Sequence, residues 1–477
     1  MVKNKFFLSP VLVLIGLLIV QIIIFSPQVN RGFVNDDLTW LENVVPDGKI
    51  DYLRPFSKTT GFFRPIVGIT FGLQYQLYGM DARPYGLFNL FLHLLNIILV
   101  FLLLSYWKKT KPYAIWATLL FALNAKGVNM AVGWISGRTT LLFAFFLLLT
   151  LYLYAGLPKK NPLRYLLTAL AYFAALLSKE TAAAAPIFIF FFVLFDFNGE
   201  AKTNSFVNRV KSGLISIAVF VPPLIAYFLL RFNSDAMLPF TAPDVYRYSF
   251  SPLLILKNLS EYIVRAGLLD LYIIIVFLLI MAAVYLFKKA GNREKETFNL
   301  QVFACGVLWF LIFLLPLLPI PARSDLYVYL PQVGLHIAAL TVLASCWKSS
   351  PPRKGWLRYT AFFLIGLLAA GWVGYLFSKA VPIGEKGEAS AGFSEQVVLA
   401  LHDIPAKSTI IIIDKHHSSK NSPSKVIAYG FHSLLNLYYP DKKLTGKIFP
   451  PEKIIGLKNK PGTYVFSYED NFLKQIE

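Results

Sequence analysis

Residues 86–107 read GLFNLFLHLLNIILVFLLLSYW. The run contains no Asp, Glu, Lys or Arg, it closes on Trp107, and Lys108-Lys109 follow at once. A bilayer core about 30 Å thick needs roughly 20 apolar residues of helix, so this stretch has the length and composition of a spanning helix with an interfacial anchor at its end. Ten further apolar runs resemble it, at about 7–27, 112–125, 138–156, 163–178, 181–197, 212–231, 267–287, 299–319, 326–347 and 356–378. The expected fold is therefore an α-helical polytopic membrane protein with about 11 transmembrane helices. The first run follows Lys3 and Lys5 and has no small-residue cleavage site behind it, only Phe25-Ser26-Pro27-Gln28, so it reads as a retained helix.

Composition agrees. The 477 residues are 56% hydrophobic and 15% charged, with a mean hydropathy of +0.57 and a net charge of +20. Soluble domains are about 45–50% apolar and about 25% charged. The charge is unevenly placed. Counted from a cytoplasmic N-terminus, the cytoplasmic segments hold nineteen Lys and Arg, among them Lys108, Lys109 and Lys111, then Lys288, Lys289, Arg293 and Lys295, and Lys348, Arg353, Lys354 and Arg358. The short connections on the other side hold only Lys126, Arg138, Lys179 and Arg323. This asymmetry sets orientation, with the N-terminus inside and the C-terminus outside the plasma (inner) membrane. Three quarters of the positive excess lies at the inner surface, consistent with attraction to anionic lipid there, and a nucleic-acid partner is not implied. Cys305 and Cys346 are too few for a disulfide framework and read as free thiols.

Two domains are expected: a membrane part, 1–378, and a soluble α/β tail, 379–477, on the extracytoplasmic side. In the tail, Thr409–Asp414 and Gly462–Tyr468 read as strands and Val426–Tyr439 as an amphipathic helix. Two long outer loops, about 28–85 and 232–266, complete that face. There is no Walker phosphate loop, no dinucleotide fingerprint and no Gly-x-Ser-x-Gly elbow.

The ionisable residues outside the cytoplasmic loops gather on one side: Asp36, Asp37, Arg64, Lys126, Arg138, Lys179, Glu180, Arg323 and Asp325. Charges beside a membrane are costly unless paired or exposed to a water-filled cavity. Adjacent carboxylates at Asp36-Asp37 can supply a general base with a partner that shifts or orients it, or can simply cap the helix that begins near Leu38. Cations such as Arg64, Arg138, Lys179 and Arg323 can hold an anionic group, or can serve as anchors and salt-bridge partners. His93 and Asn96 read as interhelical hydrogen-bond partners. Asp414-Lys415-His416-His417 reads as solvated surface.

Several motifs, in order, resemble those of a known group. Gly32-Phe33-Val34-Asn35-Asp36-Asp37, Phe63-Arg64-Pro65-Ile66 and the stretch Phe88–Asn96 come first. Gly137-Arg138, Leu177-Ser178-Lys179-Glu180 and Tyr327-Val328-Tyr329-Leu330-Pro331-Gln332-Val333-Gly334 follow. Together they resemble multispanning lipid-linked-sugar glycosyltransferases, above all the O-mannosyltransferase-like proteins that carry tetratricopeptide repeats in animals, and their bacterial relatives. The resemblance covers about residues 30–335. It implies the glycosyltransferase C fold and an inverting transfer of a sugar from a polyprenyl-phosphate donor to a hydroxyl on a protein, lipid or glycan acceptor. By the same resemblance Asp36 is the catalytic base and Asp37 its partner. Arg64, Arg138, Lys179 and Arg323 are candidates for the donor phosphate, and Glu180, Asp325 and His93 for sugar or acceptor contacts. No cofactor is required, although adjacent carboxylates can hold a divalent metal. The tail stands where the group carries its repeats, and Arg323-Ser324-Asp325 differs from the group's basic run before Tyr-Leu-Pro. A polymerase or ligase with a pyrophosphate-linked donor, or a lipid or glycan transporter, are the alternatives, the latter lacking visible internal repeats.

Overall fold

The computed structural model describes residues 9–28, 32–157, 160–197, 205–238, 240, 242–267, 298–348, 355–453 and 461–476. Proline opens many of the helices, where its missing N–H costs no hydrogen bond and its fixed φ suits the first turn. Thus α1 (Pro10–Phe25), capped by the Ser9 hydroxyl, is followed by α2 (Asp37–Val44), α3 (Pro65–Tyr78) and α4 (Arg83–Tyr106). Then come α5 (Ala114–Leu123), α6 (Ala125–Gly133), α7 (Arg138–Gly156), α8 (Pro162–Ser178) and α9 (Ala185–Leu194). The series continues with α10 (Phe206–Ile217), α11 (Val221–Phe232), α12 (Pro252–Ala266), α13 (Leu300–Leu314), α14 (Gln332–Lys348) and α15 (Gly355–Ala400).

Among the described residues, four helices are long and apolar enough to cross a membrane: Arg83–Tyr106, Ile135–Gly156, Phe206–Phe232 and Leu300–Leu317. A fifth is added if Lys111–Leu123 and Ala125–Gly133, bent by 61° at Asn124, form one broken span. Four apolar helices are shorter: Pro10–Phe25, Pro162–Ser178, Glu180–Leu194 and Gln332–Ser345. The expected eleven runs thus resolve into elements of unequal length, because the chain breaks its helices at polar joints. Asn124 ends α5 and caps α6, its side chain accepting from the Lys126 and Gly127 amides, and Lys179 ends α8 in an extended conformation. The run at 267–287 lies outside the described residues apart from Gly267.

The boundary expected at 378/379 falls inside α15, which continues as one helix from the last apolar run to Ala400 and carries Pro382 within it. The tail is a four-stranded sheet in the order β2-β1-β3-β4, with β1 (Thr409–Asp414) parallel to both β2 (Thr445–Phe449) and β3 (Thr463–Glu469), and β4 (Phe472–Gln475) antiparallel to β3. Strand β1 reads TIIIID, apolar on both faces, as an interior parallel strand requires. Ile410 and Ile412 join the main core, while Ile411 and Ile413 pack with Val465 on the opposite face. The expected amphipathic helix is α17 (Phe431–Tyr438), preceded by the short α16 (Pro423–Val426). The short strands β2 and β4 carry little alternation and were not anticipated.

Candidate active site

The stretch from Gly32 to Asp36 is built against the tail. The Gly32 amide donates to the Gly387 carbonyl (3.0 Å), the Ser390 hydroxyl to the Phe33 carbonyl (2.5 Å) and the Asn35 amide to the Val426 carbonyl (2.7 Å). Asn35 is left-handed at φ 53°, a conformation that asparagine tolerates better than most residues. Gly430 sits so close that an added Cβ would lie 2.2 Å from the Asn35 carbonyl oxygen. These contacts aim the next two residues, Asp36 and Asp37, in different directions.

Asp37 is buried and fully engaged. One carboxylate oxygen accepts from the Val34 amide (2.8 Å), and the other from the Ser136 amide (2.7 Å) and the Ser136 hydroxyl (2.5 Å). It therefore ties the first loop to the joint between α6 and α7. Asp36 faces a cavity of about 160 Å³, and its Oδ1 is enclosed without a hydrogen-bond partner. Burial pushes the Asp36 carboxyl up to about 6, against the opposing pull of its own backbone amide, the Ser136 hydroxyl and the Arg64 charge. Burial and then the neighbouring Asp36 charge raise Asp37 to about 7.

The same cavity is walled by Thr39, Trp40, Thr60, Phe62, Arg64, Trp134, Ser136, Thr139, Lys179, Tyr246, Ser324, Leu326 and Tyr327. These come from the first loop and α2, the α6–α7 joint, the α8–α9 joint, the segment before α12 and the segment before α14. Arg64 reaches Glu180 in a two-point ion pair (Nε–Oε2 3.0 Å, Nη2–Oε1 2.6 Å) and stacks its guanidinium 4.3 Å over Phe62. Lys179 is buried, donates from Nζ to the Thr140 hydroxyl (2.8 Å) and lies 5.3 Å from the Tyr327 ring centroid. Among the described residues no carboxylate lies within 4 Å of the Lys179 ammonium, and burial, with the Arg64 charge nearby, holds its pKa down to about 7, so an anion in the cavity would favour its charged form.

The other candidates lie elsewhere. Arg138 is fully buried behind the wall, where Nε donates to Asn89 Oδ1 (3.1 Å), Nη2 to the Tyr85 carbonyl (3.0 Å), and the guanidinium lies 4.4 Å from the Phe71 ring. Asn89 in turn donates to the Trp134 and Ile135 carbonyls (3.0 Å each), so Arg138 and Asn89 together fix the turn that carries Ser136. Arg323 pairs with Glu261 (2.8 Å) and Asn258 (2.7 Å), and Asp325 with Arg265, in a separate cluster against α12. Only Ser324, between them, reaches the cavity. His93 bonds through Nδ1 to the Tyr329 hydroxyl (2.7 Å) and through Nε2 to Gln21 (3.3 Å), inside the helix bundle and away from the cavity. Trp134, Ser136 and Tyr246 were not singled out from sequence, because nothing local marks a serine or an aromatic as cavity-lining.

For a divalent metal the set offers two carboxylates, one of them already accepting three hydrogen bonds, and among the described residues no cluster of three His, Cys, Asp or Glu occurs. No step is assigned to a metal.

No family model and no curated protein matches the chain. Solved structures to which it is similar include the oligosaccharyltransferase AglB of Archaeoglobus fulgidus in complex with an inhibitory peptide and a dolichol-phosphate, at 12% identity and a TM-score of 0.47, covering 92% of this chain and 64% of that one. The same archaeal enzyme tethered to an acceptor peptide gives 12% identity and a TM-score of 0.49, covering 94% and 64%. ArnT of Cupriavidus metallidurans bound to undecaprenyl phosphate gives 13% identity and a TM-score of 0.42, covering 90% and 75%. The chain thus spans somewhat less than two thirds of the length of the oligosaccharyltransferase.

Proposed function

We propose that this chain is a membrane glycosyltransferase of the glycosyltransferase C type, moving a sugar from a polyprenyl-phosphate donor to a hydroxyl acceptor on the extracytoplasmic face. The observation that carries the reading is the pairing, in one cavity, of a carboxylate with a free oxygen, Asp36, and a basic side chain that has no carboxylate partner among the described residues, Lys179. These are the two charges that a transfer with a lipid-phosphate leaving group requires. The acceptor hydroxyl gives its proton to Asp36 as its oxygen forms the bond to the anomeric carbon, and the bond from that carbon to the phosphate oxygen breaks on the opposite face. The configuration inverts, and the pair of electrons leaves with the phosphate. Lys179 meets the charge that develops on the leaving group, where exclusion of water makes it most effective.

Arg64 contributes to that field while held in place by Glu180. Asp37, with both oxygens occupied, is a positioning residue. A nucleotide is not needed, which agrees with the lack of nucleotide motifs in the sequence. The chain reconstituted in lipid vesicles is expected to transfer radiolabel from a polyprenyl-monophosphate hexose, to release free polyprenyl phosphate in equal amount, and to lose both with Asp36→Asn. Label taken instead from a pyrophosphate-linked sugar would replace this reading with a polymerase or ligase. Vesicle-to-vesicle movement of the intact donor without cleavage would replace it with a transporter.

A further inference from the structure

A second, larger cavity of about 510 Å³ lies between the tail and the first loop. One wall is α2 with the loop after it, and the other is α17 with the start of β2. The walls are stitched by Glu42, whose carboxylate accepts from the Ser433 hydroxyl (2.6 Å) and the Asn436 amide (2.6 Å). Thr39 and Thr60 line this cleft and also the cavity that holds Asp36, so the two spaces are neighbours across a single layer of side chains.

The lining states what that molecule is. Its volume falls in the range of ligand sites. Its ionic residues balance, Glu42 and Asp47 against Arg54 and Lys443, which favours a neutral ligand. Hydrogen-bond donors and acceptors are interleaved around it, and two are enclosed and unsatisfied: Arg54 Nε and Thr60 Oγ1. Buried polar atoms left unpaired are costly, so these two take partners from water or from a ligand that reaches them. The apolar lining is confined to Leu444 and two prolines, with no aromatic anchor and no slot for an acyl chain or a bulky peptide side chain. Hydroxyls that both donate and accept, at high density and without charge, match this surface.

We infer that the cleft between the tail and the first loop binds a neutral carbohydrate chain, which makes the acceptor of the transfer proposed above a glycan. The role as acceptor rests on that reading of the reaction; the binding does not.

The test uses the full chain in nanodiscs and neutral oligosaccharides of three to five residues (glucans, mannans and N-acetylglucosamine oligomers), with amide hydrogen exchange as the readout. At least one oligosaccharide is expected to slow exchange in α2, α17 and β2, and Thr445→Trp, which fills the cleft from an exposed position on β2, is expected to weaken that binding at least tenfold. Lys447→Trp, on the same strand but outside the cleft, is the control for folding and should bind as the parent chain does. Protection by none of the oligosaccharides, protection by a Ser/Thr-containing octapeptide alone, or binding that survives Thr445→Trp would overturn the inference. Asp36→Asn separates the two proposals. Oligosaccharide protection that persists while no variant, nor the parent chain, cleaves a polyprenyl-phosphate sugar would leave the glycan site standing and refute the reaction.

Discussion

Replacing Asp36 by asparagine should move stability and activity in opposite directions. Burial lifts the Asp36 carboxyl from its usual 3.8 to about 6. Because the folded value is raised, the favourable contribution is complete below pH 3.8 and is lost as pH rises through about 6. At pH 7.5 the ionised group therefore costs the fold about 3 kcal/mol relative to its protonated form, at 1.36 kcal/mol per pH unit. Asparagine has the same shape and stays neutral, and Oδ1 has no protein hydrogen bond to lose. The melting temperature at pH 7.5 should be unchanged or a few degrees higher, and the difference from the parent chain should shrink as the pH is lowered towards 4. Sugar transfer should fall by roughly 10²–10⁴, the usual worth of a positioned general base. The assays are thermal unfolding followed by intrinsic fluorescence in detergent at pH 4.5, 6 and 7.5, and single-turnover transfer from a radiolabelled polyprenyl-monophosphate hexose. Near-normal turnover would remove Asp36 as the base. A fall in melting temperature of several degrees at pH 7.5 would refute the desolvation argument and reduce the residue to a structural one.

Asp36 and Asp37 share a boundary and titrate as a pair, so the acid limb of kcat/KM should show an apparent value between about 6 and about 7, with activity rising as pH rises through it. The Ser136 hydroxyl holds both carboxylates down, so Ser136→Ala should shift that limb to higher pH and cost about 1 kcal/mol for the lost hydrogen bond, read from the pH profile and the melting temperature. Gly430→Ala forces a methyl against the Asn35 carbonyl oxygen and, with backbone that cannot step aside cheaply, should cost about 1–3 kcal/mol and lower kcat more than it raises KM for the donor, although Gly430 lines neither cavity. Breaking the Arg64–Glu180 pair from one side leaves an enclosed charge alone, so Arg64→Ala and Glu180→Ala should each destabilise by about 3–5 kcal/mol and the double variant by less than their sum, a non-additivity that a double-mutant cycle measures directly.

Much of this arrangement was legible in the chain. Each motif that resembles the glycosyltransferase group contributes to the cavity or its frame: Asp36 and Arg64 from the first loop, Ser136 beside Arg138, Lys179 from the α8–α9 joint and Tyr327 before α14. Strands β1 and β3 were readable because unbroken apolar runs such as Thr409–Asp414 suit interior strands and little else. Strand β2 was not, because Thr445-Gly446-Lys447 lies at a sheet edge with no apolar face to give a period. The apolar run at 112–125 ends where the chain bends at Asn124, and the helix Ala125–Gly133 beyond it was not read from sequence. The larger cleft could not be anticipated, since its two walls, residues 39–60 and 432–445, are distant in the chain and touch only after the tail folds back on the first loop.

The sequence by itself determined that the chain belongs in a bilayer, where apolar length outweighs every local preference, and that the one adjacent carboxylate pair within its membrane part is Asp36-Asp37. It could not say which of the four cations lines the cavity beside Asp36 and which is paired elsewhere. That choice belongs to tertiary structure, because an ion in a poorly solvated place takes the nearest partner that the fold offers. Asn89 and the Tyr85 carbonyl claim Arg138, Glu261 claims Arg323, and Glu180 holds Arg64 at the cavity wall. Among the described residues Lys179 meets the Thr140 hydroxyl and the Tyr327 ring but no carboxylate within 4 Å, and it lines the cavity. Adjacent residues in the chain were likewise divided by folding: three hydrogen-bond donors from two distant segments occupy Asp37, and none occupies the Oδ1 of Asp36.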